Sequence, residues 1–272
     1  MSISESIRRI GVEKKNRYLI LSFLATLFVY VVTQKQIHMS FWQVCVILVL
    51  LVVSGDWIAN YPGINRKNFL VSILMPLGVL TGALSSLHFF PNLGLMFKLF
   101  VIAFFGGLYY LVLLVDNIYL VVHDRAEIIP LYRVAVTWSQ IIQIVVAIPL
   151  FAGIFKTNTN AFFQSFLVAL VSFLFTYYQF WIYQFDSDAK RTKIGEVLYL
   201  STFSAFVTYA ISFSVSFFST KAFLRSLFVS SVLLFLLSYI SGYLKNEISR
   251  KMILGYLIII LVFLAILLFF LL

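Results

Sequence analysis

The sequence predicts an all-α integral membrane protein, a polytopic helical bundle with about nine transmembrane helices. Of its 272 residues, 62% are hydrophobic and only 11% are charged, whereas soluble domains carry about 25% charged residues. The apolar residues gather in stretches of about 20 residues, the length that a helix needs to cross a hydrocarbon core of about 30 Å. Burial in one globular core would not explain so apolar a chain.

The apolar stretches are separated by short connections, so we expect no soluble domain and a single transmembrane domain over residues 1–272. The predicted spans are 18–34, 41–59, 69–90, 95–121, 132–155, 161–184, 196–218, 223–243 and 251–272. A basic segment, residues 1–17, precedes the first span. No small-residue cleavage motif follows that span, which predicts an uncleaved first helix.

Several spans contain prolines and small polar residues at positions typical of packed transmembrane helices. Pro76 interrupts the third span and leaves one carbonyl without its helical partner. Pro130 precedes the fifth, where proline commonly starts a helix. Small polar residues that allow close helix packing recur every four positions in the seventh span, at Ser204, Thr208, Ser212 and Ser216. The last span has no polar residue over 258–272, which predicts a peripheral helix that faces lipid.

The basic residues predict the orientation. Fifteen of the twenty Lys and Arg residues fall in alternate segments, and an excess of basic residues marks the cytoplasmic loops of a membrane protein. All ten acidic residues fall on the same side. We therefore expect a cytoplasmic N-terminus, an outer C-terminus, and a location in the cell membrane (a bacterial inner membrane or a plasma membrane). The basic residues of that side are Arg8, Arg9, Lys14, Lys15, Arg17, Arg66, Lys67, Arg125, Arg133, Lys190, Arg191, Lys193, Lys245, Arg250 and Lys251.

One carboxylate lies inside the predicted membrane, because Asp116 precedes the cytoplasmic end of the fourth span by about two turns. A charge at mid-bilayer costs about 2.5–3.5 kcal/mol on insertion scales, so Asp116 should face the bundle and have a partner. With Asn117, Arg133 and Gln140 it forms a predicted intramembrane polar cluster. Two interpretations stay open: a clamp between neighbouring helices, or a proton or cation site.

A second candidate site lies at the cytoplasmic helix ends. Asp56 and Asn60 are four residues apart at the end of the second span and therefore share a helix face. Asp186 and Asp188 follow the sixth span. Since both spans end on the same predicted face of the membrane, the four residues offer a polar cytoplasmic site.

This arrangement resembles the intramembrane prenyltransferases, a family with nine helices, a cytoplasmic N-terminus and Asp-rich motifs after the second and sixth spans. The resemblance implies that Asp56 and Asn60 stand at the first motif and Asp186 and Asp188 at the second. It also implies a Mg²⁺-bound prenyl diphosphate, a ligand that needs only one or two carboxylates beside phosphates and waters. The first motif of the family carries several acids, and here it carries one.

The sequence lacks the residue patterns that nucleic-acid binding, an internal disulfide or a zinc site would require. The basic residues are scattered rather than clustered, so no nucleic-acid partner is expected. A lone cysteine, Cys45, permits no internal disulfide, and His38, His88 and His123 are too dispersed in the sequence to predict a zinc site. Apart from Mg²⁺ in a prenyltransferase, no cofactor is expected.

Three hypotheses of function therefore remain. The first is a non-catalytic membrane carrier or scaffold whose partners are lipids or other membrane proteins. The second is a secondary transporter with Asp116 as its coupling carboxylate. The third is a degenerate prenyltransferase with a site at Asp56, Asp186 and Asp188. The first is favoured because charges within the membrane are few and no complete set of catalytic residues is apparent.

Overall fold

A computed structural model describes residues 14–34, 41–60, 66–89, 93–125, 130–186 and 188–270. Most of the basic segment at residues 1–17 lies outside these ranges. Within them the chain forms ten helices, named here in chain order: α1 Lys14–Val32, α2 Phe41–Asn60, α3 Arg66–Ser72, α4 Leu74–Phe89, α5 Leu95–Arg125, α6 Pro130–Lys156, α7 Ala161–Tyr183, α8 Ile194–Ser216, α9 Ala222–Lys245 and α10 Arg250–Phe269.

The structure confirms the predicted all-α fold, because 88% of it is helical and its described residues contain no strand. Eight helices are long and apolar enough to cross a membrane. The predicted second span corresponds to α2, whose apolar part, Val46–Asn60, is shorter than the other eight. The protein is therefore a multi-pass membrane protein. The count of nine crossings and the orientation of the termini stay predictions.

The third span is broken where its sequence predicts a break. Pro76 has no N–H, and its ring crowds the carbonyl four residues earlier, that of Ser72. Helix α3 ends at Ser72 and α4 begins at Leu74. The Leu77 amide still donates to the Ile73 carbonyl at 3.0 Å, so the interruption covers about one residue. This break places the Ser72 side chain at a helix end.

The helices pack as two compact units, Met1–Glu127 and Ile128–Leu272, which are described separately below. In the N-terminal unit, α1 packs against α2, α4 and α5, and α5 also packs against α4. In the C-terminal unit, α7 packs against α8 and α6 against α9. Helix α9 also contacts α7, α8 and α10 and is therefore the central helix of its unit. That the whole chain forms one domain stays a prediction.

Helix α1 approaches its neighbours closely at two glycines. A methyl group built on Gly55 of α2 would overlap Leu21, and one built on Gly106 of α5 would overlap the Thr26 hydroxyl. That hydroxyl donates to the Ser22 carbonyl at 2.7 Å, which fixes its rotamer. Small residues at helix contacts allow the close approach of backbones that favours association inside a membrane.

Three of the four residues in the predicted small-residue stripe of α8 are buried, although few other residues of that helix are. Ser204, Thr208 and Ser212 are each at most 1% exposed, and Ser216 is half-buried. The Ser212 hydroxyl lies 3.2 Å from the Ser165 hydroxyl of α7. This contact is of the kind that small residues at four-residue spacing favour between packed helices.

Helix α10 is peripheral, as its uniformly apolar sequence predicts. It follows α9 after a turn at Asn246, whose φ of 54° is the left-handed conformation that often ends helices. The Ser249 hydroxyl oxygen caps α10 by accepting from the Met252 amide at 3.2 Å. Within α10 only Leu267 is buried, so nearly all of its apolar surface faces outward.

Replacing Gly106 by alanine is expected to destabilise the N-terminal unit. The added methyl would lie 3.3 Å from the Thr26 Cβ and closer to its hydroxyl, and overpacking of this kind costs about 1–3 kcal/mol. The midpoint of denaturant-induced unfolding in detergent should fall. Gly107→Ala is the matched control, because nothing lies within 4 Å of the corresponding methyl. Equal losses in the two variants would contradict a close α1–α5 approach.

Candidate functional site

A buried polar cluster joins four helices of the N-terminal unit. It consists of Tyr18 from α1, Asp56 and Asn60 from α2, Ser72 from α3, and Asn117 from α5, and it is called the Asp56 cluster below. All of these side chains except Asn117 are at most 1% exposed. A buried polar group needs a hydrogen-bond partner to offset its desolvation, so the bonds of each member decide its state.

Hydrogen bonds satisfy both oxygens of the Asp56 carboxylate. Asn60, one helical turn later, donates its amide N–H to Asp56 Oδ1 at 2.7 Å. The Ser72 hydroxyl donates to Oδ2 at 3.0 Å. Ser72 is the last residue of α3, and its hydroxyl also lies 3.0 Å from the Phe69 carbonyl. The sequence spacing predicts that Asp56 and Asn60 share a helix face, and the structure confirms it.

Tyr18 connects this pair to α5. Its hydroxyl donates to Asn60 Oδ1 at 2.5 Å and lies 3.1 Å from Asn117 Oδ1. Asn60 therefore bonds Asp56 through its nitrogen and Tyr18 through its oxygen. The network ties α1, α2 and α5 together. It is a clamp between helices, which is one of the two interpretations open from the sequence, but the helices it joins are not the predicted ones.

The cluster holds a buried carboxylate without a buried cation beside it. Both hydrogen-bond donors to Asp56 are neutral, and the cation whose charge acts on it is Lys14 of α1. A second buried carboxylate, Asp116, lies near enough for its charge, like that of Asp56, to act on the Tyr18 hydroxyl.

Tyr109 adds a buried hydroxyl near the same cluster. It is fully buried on α5, and its hydroxyl has no hydrogen-bond partner. It lies near enough to Asp56 to interact electrostatically. Tyr109 and Asp116 are seven residues apart and so share a face of α5, a spacing from which sequence reasoning could have found Tyr109. No comparable signal identifies Tyr18 or Ser72.

The C-terminal unit contains a second polar cluster built from uncharged side chains of α6, α7 and α9. Gln143 donates to Gln179 Oε1 at 2.8 Å, and Gln179 donates to the Ser241 hydroxyl at 3.1 Å. Gln140 also donates to Ser241. The amide seam is the name used below for these four residues together with Thr176 and Ser238, which lie one turn before Gln179 and Ser241.

Three polar atoms of the amide seam are buried without a hydrogen-bond partner: Gln143 Oε1, Thr176 Oγ1 and Ser238 Oγ. Gln143 and Thr176 are fully buried, and Ser238 is 5% exposed. An unsatisfied buried donor or acceptor costs about 1–3 kcal/mol. The amide seam therefore contains more polar groups than the hydrogen bonds between its helices satisfy.

The predicted acids of the α7–α8 connection form ion pairs within the C-terminal unit. Asp186 Oδ2 lies 3.8 Å from the Lys245 ammonium, and Asp188 Oδ2 lies 3.6 Å from the Arg133 guanidinium. The second pair is mostly exposed, with 75% of the Arg133 side chain in contact with solvent, so it contributes about 0–1 kcal/mol. A Mg²⁺ ion at these carboxylates would have to displace both cations.

A more tightly bonded set, called the loop latch here, holds the same connection to the end of α9. Lys190 donates its ammonium to Glu196 Oε1 at 2.9 Å and also to the Tyr243 hydroxyl. Tyr243 in turn donates to Glu196, and the Lys190 amide donates to the Leu244 carbonyl at 2.7 Å. The hydrogen bonds to Tyr243 and Glu196 raise the pKa of the Lys190 ammonium above its ordinary value.

The structure thus brings together some of the predicted site residues. Asp116 and Asn117 belong to the N-terminal unit, while Arg133 and Gln140 bond Asp188 and Ser241 in the C-terminal unit. The predicted cluster of all four therefore stays a prediction.

The prenyltransferase site stays a prediction for the same reason. Asp56 belongs to the N-terminal unit, and Asp186 and Asp188 belong to the C-terminal unit. The described residues contain no group of three or more His, Cys, Asp or Glu side chains placed to hold a metal. His38 and the side chains of Cys45 and His123 lie outside the described part of the chain.

Comparison with known proteins adds no family to these observations. No protein-family model matches the chain, no curated protein matches it, and no solved structure matches it.

Replacing Tyr18 by phenylalanine is expected to lower the free energy of unfolding by about 1–3 kcal/mol, because Asn60 Oδ1 would lose its donor in a buried site. Denaturant-induced unfolding in detergent measures this loss. Tyr30→Phe is the matched control, since Tyr30 lies on the same helix, 40% exposed. A Tyr18 variant as stable as the Tyr30 variant would mean that the hydroxyl makes no net contribution to the Asp56 cluster.

Replacing Lys190 by methionine is expected to loosen the α7–α8 connection, because it removes the two ammonium bonds of the loop latch, to Glu196 and to Tyr243. Amide hydrogen exchange over residues 184–193 should become faster, while Lys193→Met, which alters an exposed lysine of the same loop, should leave it unchanged. Hydrogen bonds raise the pKa of Lys190 above 10.5 and lower the pKa of Glu196 below 4.5, so the latch is complete between these two ordinary values and weakens as the pH rises through the Lys190 pKa or falls through the Glu196 pKa. Equal exchange in both variants would exclude a latching role.

Proposed function

We propose that this protein is a non-catalytic membrane carrier of the secondary-transporter type, in which the Asp56 cluster binds and releases a proton. The observation that carries the proposal is a fully buried carboxylate whose hydrogen-bond donors are all neutral. Ionisable residues inside membrane spans commonly mark ion pathways and proton relays. We place the carrier in the cell membrane, inner or plasma, because of the distribution of its basic residues.

Protonation offers a physical reason for movement. A charged Asp56 needs the amide of Asn60 and the hydroxyl of Ser72 as donors, and the Ser72 bond ties α2 to α3. A protonated Asp56 carries no net charge, so it accepts weaker hydrogen bonds, because hydrogen bonds to an ionised group are stronger than those between neutral groups. Proton uptake would therefore loosen the contact between α2 and the broken third span. The titratable neighbours that act on the cluster are Lys14, Tyr18, Tyr109 and Asp116.

In this proposal Asp56 is the coupling residue, a role that the sequence analysis gives to Asp116. Asp116 is a second buried carboxylate of the same unit. Each side chain is fully buried. The hydrogen bonds that Asp56 accepts from Asn60 and Ser72 would weaken on protonation, which makes Asp56 the residue to test first.

Replacing Asp56 by asparagine is expected to abolish proton-driven transport while preserving the shape of the cluster. Proteoliposomes would be given a metabolite extract and an imposed pH gradient, and the accumulated solutes would be identified by mass spectrometry. The wild type should concentrate at least one solute only when the gradient is present. The Asp56→Asn variant should fall to the level of protein-free liposomes.

Asp188→Asn is the matched control for this experiment, because Asp188 is an exposed aspartate in a weak ion pair. It should transport like the wild type. Accumulation that does not depend on the pH gradient, or that persists in Asp56→Asn, would contradict the proposal. Dependence on a sodium gradient instead would assign the carboxylate to a metal cation and not to a proton.

A second candidate function is a scaffold for lipids or other membrane proteins, and α10 favours it. This helix leaves its apolar surface outside the bundle, with only Leu267 buried. An apolar face of this size suits lipid or a partner helix equally. A scaffold would show no gradient-dependent accumulation of any solute, so the same transport assay separates the two functions.

A further inference from the structure

The amide seam has a composition that the proposed proton site does not explain. It lies in the C-terminal unit between α6, α7 and α9, and no charged side chain of the described chain hydrogen-bonds to any of its six members. Apolar side chains would pack these three helices together without the cost of burying polar groups. Three amides and three hydroxyls in one place therefore call for an explanation other than packing.

The three unpartnered atoms provide that explanation. Gln143 Oε1 can only accept a hydrogen bond, whereas the Thr176 and Ser238 hydroxyls can both donate and accept. Each of the three side chains is at least nine-tenths buried. Because Gln143 bonds Gln179, and Gln179 bonds Ser241, the three atoms lie within about one helical turn of a single bonded chain of side chains.

The chemistry of these atoms selects the kind of molecule that would satisfy them. An ion would lose its hydration shell and gain no opposite charge. An apolar molecule would leave all three atoms unpaired. A small uncharged molecule with hydroxyl or amide groups can donate to Gln143 Oε1 and exchange hydrogen bonds with the two hydroxyls.

We infer that the amide seam binds and passes small uncharged solutes bearing hydroxyl or amide groups. This inference deepens the proposed function by naming the class of cargo, and it rests on the carrier part of that proposal. The seam supplies hydrogen bonds in place of water, so such a solute crosses without being fully desolvated. The helix–helix bonds from Gln140 and Gln179 to Ser241 keep one side of the seam fixed while the unpartnered atoms face the solute.

Downhill flux into proteoliposomes tests the inference without a pH gradient. Glycerol and urea serve as the hydroxyl and amide probes, and water serves as the third arm. Light scattering after an osmotic step reports the entry of each. Vesicles containing the full chain should admit glycerol or urea faster than protein-free vesicles. The Thr176→Val variant should lower that excess rate about threefold or more, since it removes one unpartnered hydroxyl. Gln143→Leu should lower it at least as much, since it removes the unpartnered Oε1 together with the amide donor to Gln179.

Ser172→Ala is the matched control, because Ser172 is buried on the same helix but its hydroxyl is already bonded to the Val168 carbonyl at 2.9 Å. It should keep the wild-type rate. Faster entry of water alone would overturn the inference, and so would equal rates in Thr176→Val and the wild type or no faster entry of any probe. Downhill glycerol or urea flux without proton-driven accumulation would contradict the proposed proton coupling at Asp56 and leave the cargo class standing. Proton-driven accumulation of other solutes without flux of either probe would contradict the cargo class and leave the proton coupling standing.

Discussion

The interior of this protein is governed by the scarcity of hydrogen-bond partners in a membrane. A polar side chain that leaves water cannot return to it inside the hydrocarbon region, so each one has to be matched by another residue. The two units solve this problem differently. The N-terminal unit surrounds a carboxylate with neutral donors, while the amide seam of the C-terminal unit links amides and hydroxyls and leaves three of its polar atoms unmatched.

The Asp56 cluster includes a side chain that stands at a break in the backbone. The third span is interrupted for about one residue before Pro76, and Ser72, the last residue of α3, donates to Asp56 Oδ2. The same hydroxyl lies 3.0 Å from the Phe69 carbonyl, so its own helix competes with the carboxylate for the one hydroxyl proton. The contact between α2 and α3 therefore depends on a hydroxyl that has two acceptors.

Composition and periodicity predict the helices well because each helix satisfies its backbone locally. The bond between Asp56 and Asn60 was also predictable, since it joins residues one turn apart on one helix. The contacts of Tyr18 were not, because they depend on which helices become neighbours. The predicted pairing of Asp116 with Arg133 stays a prediction, because the two residues belong to different units; within its own unit Arg133 pairs with Asp188.

Helix α10 has a consequence for how the sequence can change over evolutionary time. Most of its side chains lie outside the bundle, where insertion depends on the partition of apolar side chains into lipid. Exchanges among Leu, Ile, Val and Phe should therefore be close to neutral on the exposed face of α10, while Leu267 and the face that contacts α9 are more restricted. Drift should be slower in α9, where the partners of each buried residue restrict the allowed shapes. Two adjacent helices of one unit should thus accumulate substitutions at different rates.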